Sequence, residues 1–234
     1  MASQQHVTPP YAIIFQSEHS KLAGDLARAL REDIFGDLPD EVIRAIAEHD
    51  LGWNDNDISQ VHALGEASPR PFPALSTEET LPSWHNSIGH AASVTPLVEV
   101  MVSRHFSLLG TADPTRAGFV REENERRSAI ERVLPFEPAD LDRWTGAVGF
   151  CDLLSLYLCS GSREPVELPF AHPASPAAAN APRTTLSWNE SRQPRFSSPV
   201  LKPDAHLAMS VRKYSGNGTA LAPLTLEWTF ATSP

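Results

Sequence analysis

The sequence predicts a mainly α protein: a helical bundle over residues 1–160, followed by a small antiparallel β element in residues 161–234. Two observations predict it. Up to about residue 160, apolar side chains recur at three- and four-residue steps, the spacing of one helix face. After Gly161 the stretches TTLSW (184–188), LAMSVRKY (207–214) and LTLEWTF (224–230) alternate instead, and Ser215-Gly216-Asn217-Gly218 is a strong turn signal. The β-rich part is expected to pack on the bundle, not to hang from it as a tethered domain.

Taken in order, Tyr11 to Phe15 (YAIIF) reads as a short strand or extended arm. Leu22, Leu26 and Leu30 then mark an apolar stripe, which places His19 at the start of a helix and facing inward. Gly36 and Pro39 interrupt the chain. The next helix has Asp37 as a candidate cap, Pro39 in its first turn, and Asp40 and Glu41 complementing the dipole. Val42, Ile43 and Ile46 form its apolar face, and His49 and Asp50 follow on that same face. Residues 52–82 read as a long irregular connection whose Trp53 and Phe72 would order it over a site.

Helical signal resumes over 83–94 with Trp84, Ile88 and Ala91 in register. Thr95-Pro96 reads as a cap and first turn, leading a helix that carries Leu97, Met101, His105 and Leu108 on one face. Residues 114–134 form a charged surface helix with Phe119, Ile130 and Val133 as thin inner contacts. A last long helix runs from Glu137-Pro138 to about Ser160, with Leu141, Trp144, Val148, Cys151, Ser155 and Leu158 inward and Asp152 beside them. The Ala/Pro-biased tract 171–182 reads as loose.

Composition bounds the function. A formal charge of −10 leaves no basic stripe to meet a phosphate backbone, so no nucleic-acid partner is expected. Small phosphorylated substrates stay open, because a bound metal inverts the local field. Cys151 and Cys159 lie eight residues apart on one helix, roughly 12 Å of rise, too far for a disulfide. Reduced thiols, no basic leader and no apolar run near the ~18 residues of a membrane span fit a cytoplasmic protein with no membrane partner.

His19, the His49-Asp50 pair, His105 and Asp152 come from separate helices, each on an apolar face. One such histidine alone is more often a satisfied core residue. Together they are how a helical protein assembles an interior metal site, and imidazoles with two carboxylates suit Mn, Fe, Zn, Ni or Mg. A buried carboxylate needs a cation or strong donors in any case. Incomplete coordination by protein would leave water on the ion with its pKa lowered.

The order His … His-Asp … Asp, here His19, His49-Asp50 and Asp152, resembles the HD superfamily of metal-dependent phosphohydrolases. That resemblance spans about residues 10–160 and implies an HD-like helical bundle with one or two divalent ions. The stretches EHSKLAG, AEHDLGW, VSRHFSLL and CDLLSLYLC more narrowly resemble a group of proteins of unknown function. Two-metal superfamily members insert two further histidines. His105 is a candidate for one; His85, within HNSIG, is preferred to His90 for the other.

His6, His62, His172 and His206 read as surface residues, Asp55 and Asp57 as an acidic loop that could otherwise help activate water, and Cys151 as inert packing rather than a reactive thiol. The resemblance implies a hydrolase of a small phosphorylated or nucleotide-like molecule, with Asp50 central to catalysis. Two alternatives stand beside it. One is a di-iron oxygenase on the same scaffold, and the other a non-catalytic module stabilised by its metal.

Overall fold

The computed structural model describes residues 10–203 and 205–231, and it is mainly α with two small antiparallel sheets. His6 lies outside the described residues. Helix α1 (Gln16–Ala29) follows strand β1 (Tyr11–Ile13) and starts where the Glu18 carboxylate reaches back to accept from Phe15 N at 3.2 Å. A short α2 (Glu32–Phe35) leads to α3 (Asp40–Glu48), which begins after Pro39 with Asp40 and Glu41 in its first turn. Asp37 does not cap α3; its carbonyl accepts from Trp144 Nε1 at 3.4 Å.

Gly24 explains how closely α1 and α3 meet. A Cβ there would come within 2.4 Å of Ala47 Cβ, and Ser20 Oγ donates to the Ala47 carbonyl at 3.2 Å. Leu26 and Ile46, both 0% exposed, fill the seam. Burying each such side chain is worth about 1.5–3 kcal/mol.

The connection over 52–82 differs from expectation. It holds α4 (Asn54–His62) between single 3₁₀ turns at Leu51–Trp53 and Phe72–Ala74, and α5 (Thr77–Ala92) begins six residues early with Pro82 inside it. A capping box starts α5. Ser76 Oγ accepts from Glu79 N at 3.3 Å and Glu79 Oε2 accepts from Ser76 N at 2.8 Å. Arg70 then clamps the Glu79 carboxylate with both terminal nitrogens, at 2.8 and 3.0 Å.

Helix α6 (Pro96–Gly110) is capped by Thr95, whose Oγ1 accepts from Val98 N. Helix α7 (Ala117–Glu131) is shorter than the charged run suggests, and Val133, expected inward, lies beyond its end and is 79% exposed. Its inner face holds Phe119 and, unexpectedly, Glu123, which accepts from Ser103 Oγ at 2.8 Å. Helix α8 (Pro138–Ser160) is the axis of the bundle and ends at Gly161, whose φ of 69° is the left-handed cap conformation. Packed by α1, α3 and α6 and by the chain that follows β2 (Val166–Pro169), it is buried continuously from Trp144 to Asp152.

Strand β2 pairs with β3 (Arg183–Trp188) and β3 with β4 (Pro194–Phe196). Both outer strands were hidden in the sequence by Pro169 and Pro194, which edge positions accept because an edge has unpaired backbone to spare. In the second sheet, β5 (His206–Tyr214) lies between β1 and β6 (Ala220–Thr229), with Tyr11 opposite Tyr214. Leu207, Met209 and Val211 alternate inward as the sequence predicts. Because β1 comes from the N-terminal end, the sheet joins both ends of the chain. Among the described residues no helix is long and apolar enough to cross a membrane.

Candidate metal centre

The centre is built where α1, the end of α3, α6 and α8 converge. His19 sits in the first turns of α1 and is 2% exposed. Its Nδ1 lies 2.7 Å from Ser155 Oγ, and Ser155 already donates its own hydrogen to the Asp152 carbonyl at 2.8 Å. The hydroxyl oxygen can thus accept from His19 Nδ1–H, the tautomer in which Nε2, 2.9 Å from Asp50 Oδ2, is free to bind a cation. His49 closes α3 and is fixed in the same way. Its Nδ1 lies 2.8 Å from the Ile46 carbonyl, which can only accept. His49 Nε2 is buried with no hydrogen-bond partner.

Both Nε2 atoms face carboxylate oxygens. Asp50 Oδ2 is 2.9 Å from His19 Nε2 and 3.5 Å from His49 Nε2. Asp152 Oδ1 is 3.6 and 3.5 Å from the same two nitrogens. Lone pairs at such distances repel unless a proton or a cation lies between them. Ligand bonds of roughly 2.0–2.3 Å to one ion put neighbouring donors about 3–3.6 Å apart, and the spacings of His19 and His49 from Asp152 fit. His19, His49 and Asp152, with donor atoms within 4.8 Å of one another, form a buried group that could hold a metal ion.

The electrostatics agree. Burial by itself disfavours a charged His49 ring, yet the Asp50 and Asp152 carboxylates and the Ile46 carbonyl outweigh it and raise its pKa to about 9. A proton on His49 thus substitutes for a cation. Burial likewise opposes an ionised Asp152, but the His49, His105 and His19 imidazoles around it hold its carboxyl well below the usual range.

His105, 1% exposed, brings Nε2 to 3.4 Å from Asp152 Oδ2. Behind it stands His172, which the sequence assigned to the surface; it is 2% exposed and its Nε2 is 2.9 Å from His105 Nδ1. The loose tract expected over 171–182 is thus seated at its start. Gly149 of α8 makes the seat, since a Cβ there would meet His172 Cδ2 and Pro173 Cδ at 2.6 Å. Two glycines three apart in a long helix, Gly146 and Gly149, were the signal that another segment docks there. Burial keeps both rings neutral: the pKa of His105 lies well below its ordinary value and that of His172 falls to about 4.

His85 is not brought to the cluster. It is exposed and packs its ring against Phe119 at 5.2 Å, because Trp84, Ser87, Ile88 and Ala91 take the inner face of α5. His90 is exposed too, 3.7 Å from Glu48 Oε2. His62 and His206 are exposed. Asp55 is exposed on α4, whereas Asp57 accepts from Gln16 N at 2.7 Å and holds the start of α1. Cys151 is fully buried and its thiol is pushed up by that burial.

A cavity of about 360 Å³ reaches His19, Asp50 and Asp152, walled by Trp53, Phe72 and Trp84. Arg116 also lines it, with its guanidinium 4.4 Å above the Trp84 ring. A wider hollow of about 490 Å³ beside Arg104, Arg127 and Asp142 meets this site only at His172. No curated protein and no solved structure matches the chain. A family model does match, over residues 4–218, and the chain belongs to that family, described as protein of unknown function DUF3891.

Proposed function

We propose that the protein is a metal-dependent hydrolase of a small phosphorylated or nucleotide-like molecule, built on an HD-like bundle. The observation that carries the reading is the convergence of His19 Nε2 and His49 Nε2 with carboxylate oxygens of Asp50 and Asp152 at 2.9–3.6 Å. When bound there, a divalent ion supplies Lewis acidity toward a phosphoryl oxygen and lowers the pKa of water. His19, His49 and Asp152 would hold it, with Asp50 as the fourth ligand. Ser155 and the Ile46 carbonyl keep both rings in the ligating tautomer, the usual task of groups behind a metal ligand. Trp53, Phe72 and Trp84 shield the centre from bulk water, and Arg116 offers a planar cation suited to an anionic substrate group.

Elemental analysis of the purified protein, with hydrolysis assays on 4-nitrophenyl phosphate and nucleoside monophosphates, tests this. Stoichiometric divalent metal and activity are expected in the wild type, and loss of both in Asp50→Ala. No metal after supplementation with Mn, Fe, Zn, Ni or Mg, or equal content in the variant, overturns the metal centre. Metal without phosphate release from any substrate overturns the hydrolase.

A further inference from the structure

We infer, resting on the metal-centre reading, that the site takes one divalent ion and not two, and that His105 stands beside it as a hydrogen-bond donor whose tautomer is set by His172. The wiring starts at Ala174. Its backbone N–H donates to His172 Nδ1 at 3.2 Å, so that nitrogen carries no proton and the ring's single proton is on Nε2. Nε2 of His172 lies 2.9 Å from His105 Nδ1, which must then accept. The proton of His105 is therefore on its own Nε2, 3.4 Å from Asp152 Oδ2.

A protonated nitrogen has no lone pair for a cation. His105 and His49 are neighbours, with ring centroids 5.1 Å apart, yet they are wired in opposite senses. His49 donates from Nδ1 to the Ile46 carbonyl, which leaves Nε2 for an ion; His105 accepts at Nδ1, which keeps its one proton on Nε2. The second ion of a dinuclear centre would need the Nε2 lone pair of His105 and a further histidine, and His85 and His90 are both exposed on α5.

Charge balance points the same way. Asp50 and Asp152 are the carboxylates lining the cavity among the described residues, and they neutralise one divalent ion. A second would leave two uncompensated charges beside Arg116 in a largely buried site. His105 is thus a positioning residue. It faces Asp152 Oδ2 and leaves Oδ1 to face His19 and His49.

Zinc is the probe. The full chain is loaded with Zn(II), dialysed and analysed for metal, and its histidine side chains are read by ¹⁵N NMR, with His105→Gln and His172→Phe assigning the signals. One zinc per chain is expected. His105 and His172 should appear as Nε2–H tautomers, and His19 and His49 as Nδ1–H tautomers with Nε2 shifted by zinc. His172→Phe should keep one zinc while the single tautomer of His105 is lost. Two zinc ions per chain, or zinc-shifted Nε2 at His105, overturns the inference. An unchanged His105 tautomer in His172→Phe overturns the role of His172, and should that variant fail to fold, the wild-type spectrum decides alone. No zinc at all overturns the metal-centre reading as well, so the metal count separates the two failures.

Discussion

Gly149 and His172 are in direct contact, with the missing Cβ of the glycine only 2.6 Å from where the imidazole Cδ2 lies. That gap in α8 lets a loop residue enter the core and stand behind His105. Gly149→Ala should therefore destabilise the protein although alanine favours a helix by about 1 kcal/mol. The overlap costs roughly 1–3 kcal/mol unless His172 is expelled. Urea unfolding of both proteins checks this, and a more stable variant with His172 still buried would contradict it.

Ser155 is the counterpart of His172 for His19. Ser155→Ala removes the acceptor of the His19 Nδ1 proton and leaves the four candidate ligands untouched. Metal affinity should fall about 10–100-fold, the usual effect of deleting a partner of a ligating imidazole. A zinc competition titration against a chelator reads it. Equal affinity would show that His19 is not held by this bond when it ligates.

Asp57 makes stability depend on pH. Its burial pushes its carboxyl up from 3.8 to about 6, against the opposing hydrogen bond from Gln16 N. The folded state then holds the proton more tightly than the unfolded chain, so stability falls as pH rises from about 4 to about 6 and is level above. Asp57→Asn keeps an oxygen for Gln16 and removes the cost, which partial exposure limits to on the order of 1 kcal/mol at pH 7. Melting curves at pH 4.5 and 7 should show the variant gaining on the wild type only at the higher pH. A gain of the same size at both would exclude Asp57 as the source.

Neither cysteine should react in the native protein. Burial raises the Cys151 thiol and pushes Cys159 up to about 12, which leaves almost no thiolate at pH 8. A colorimetric thiol titration should count none before denaturation and two per chain after it. Fast labelling of native Cys159 would mean that its helix end opens.

How much of this the chain announced depends on the range of the forces involved. Helical periodicity is local, so the inward faces of α1, α3, α6 and α8, and with them His19, His49, Asp50, His105 and Asp152, could be read before any fold was known. The alternation of β5 was equally plain. Ser76 and Glu79 announced the start of α5 as well, although Pro82 argued more loudly for a break.

Tertiary structure decided the remainder. Whether β2 and β4 are strands depends on β3 lying between them, since three or four residues with a proline carry no signal of their own. Local spacing put His85 only one residue past buried Trp84; the packing of Trp84 against Phe106 turned its neighbour to the surface. Most of all, sequence alone placed imidazoles on apolar faces, but which nitrogen of each carries its proton was settled by Ser155, Ile46, His172 and Ala174. Three of those partners lie 67 or more residues away or in a loop that reads as loose, and a hydrogen bond fixes a tautomer only once the chain has closed around it.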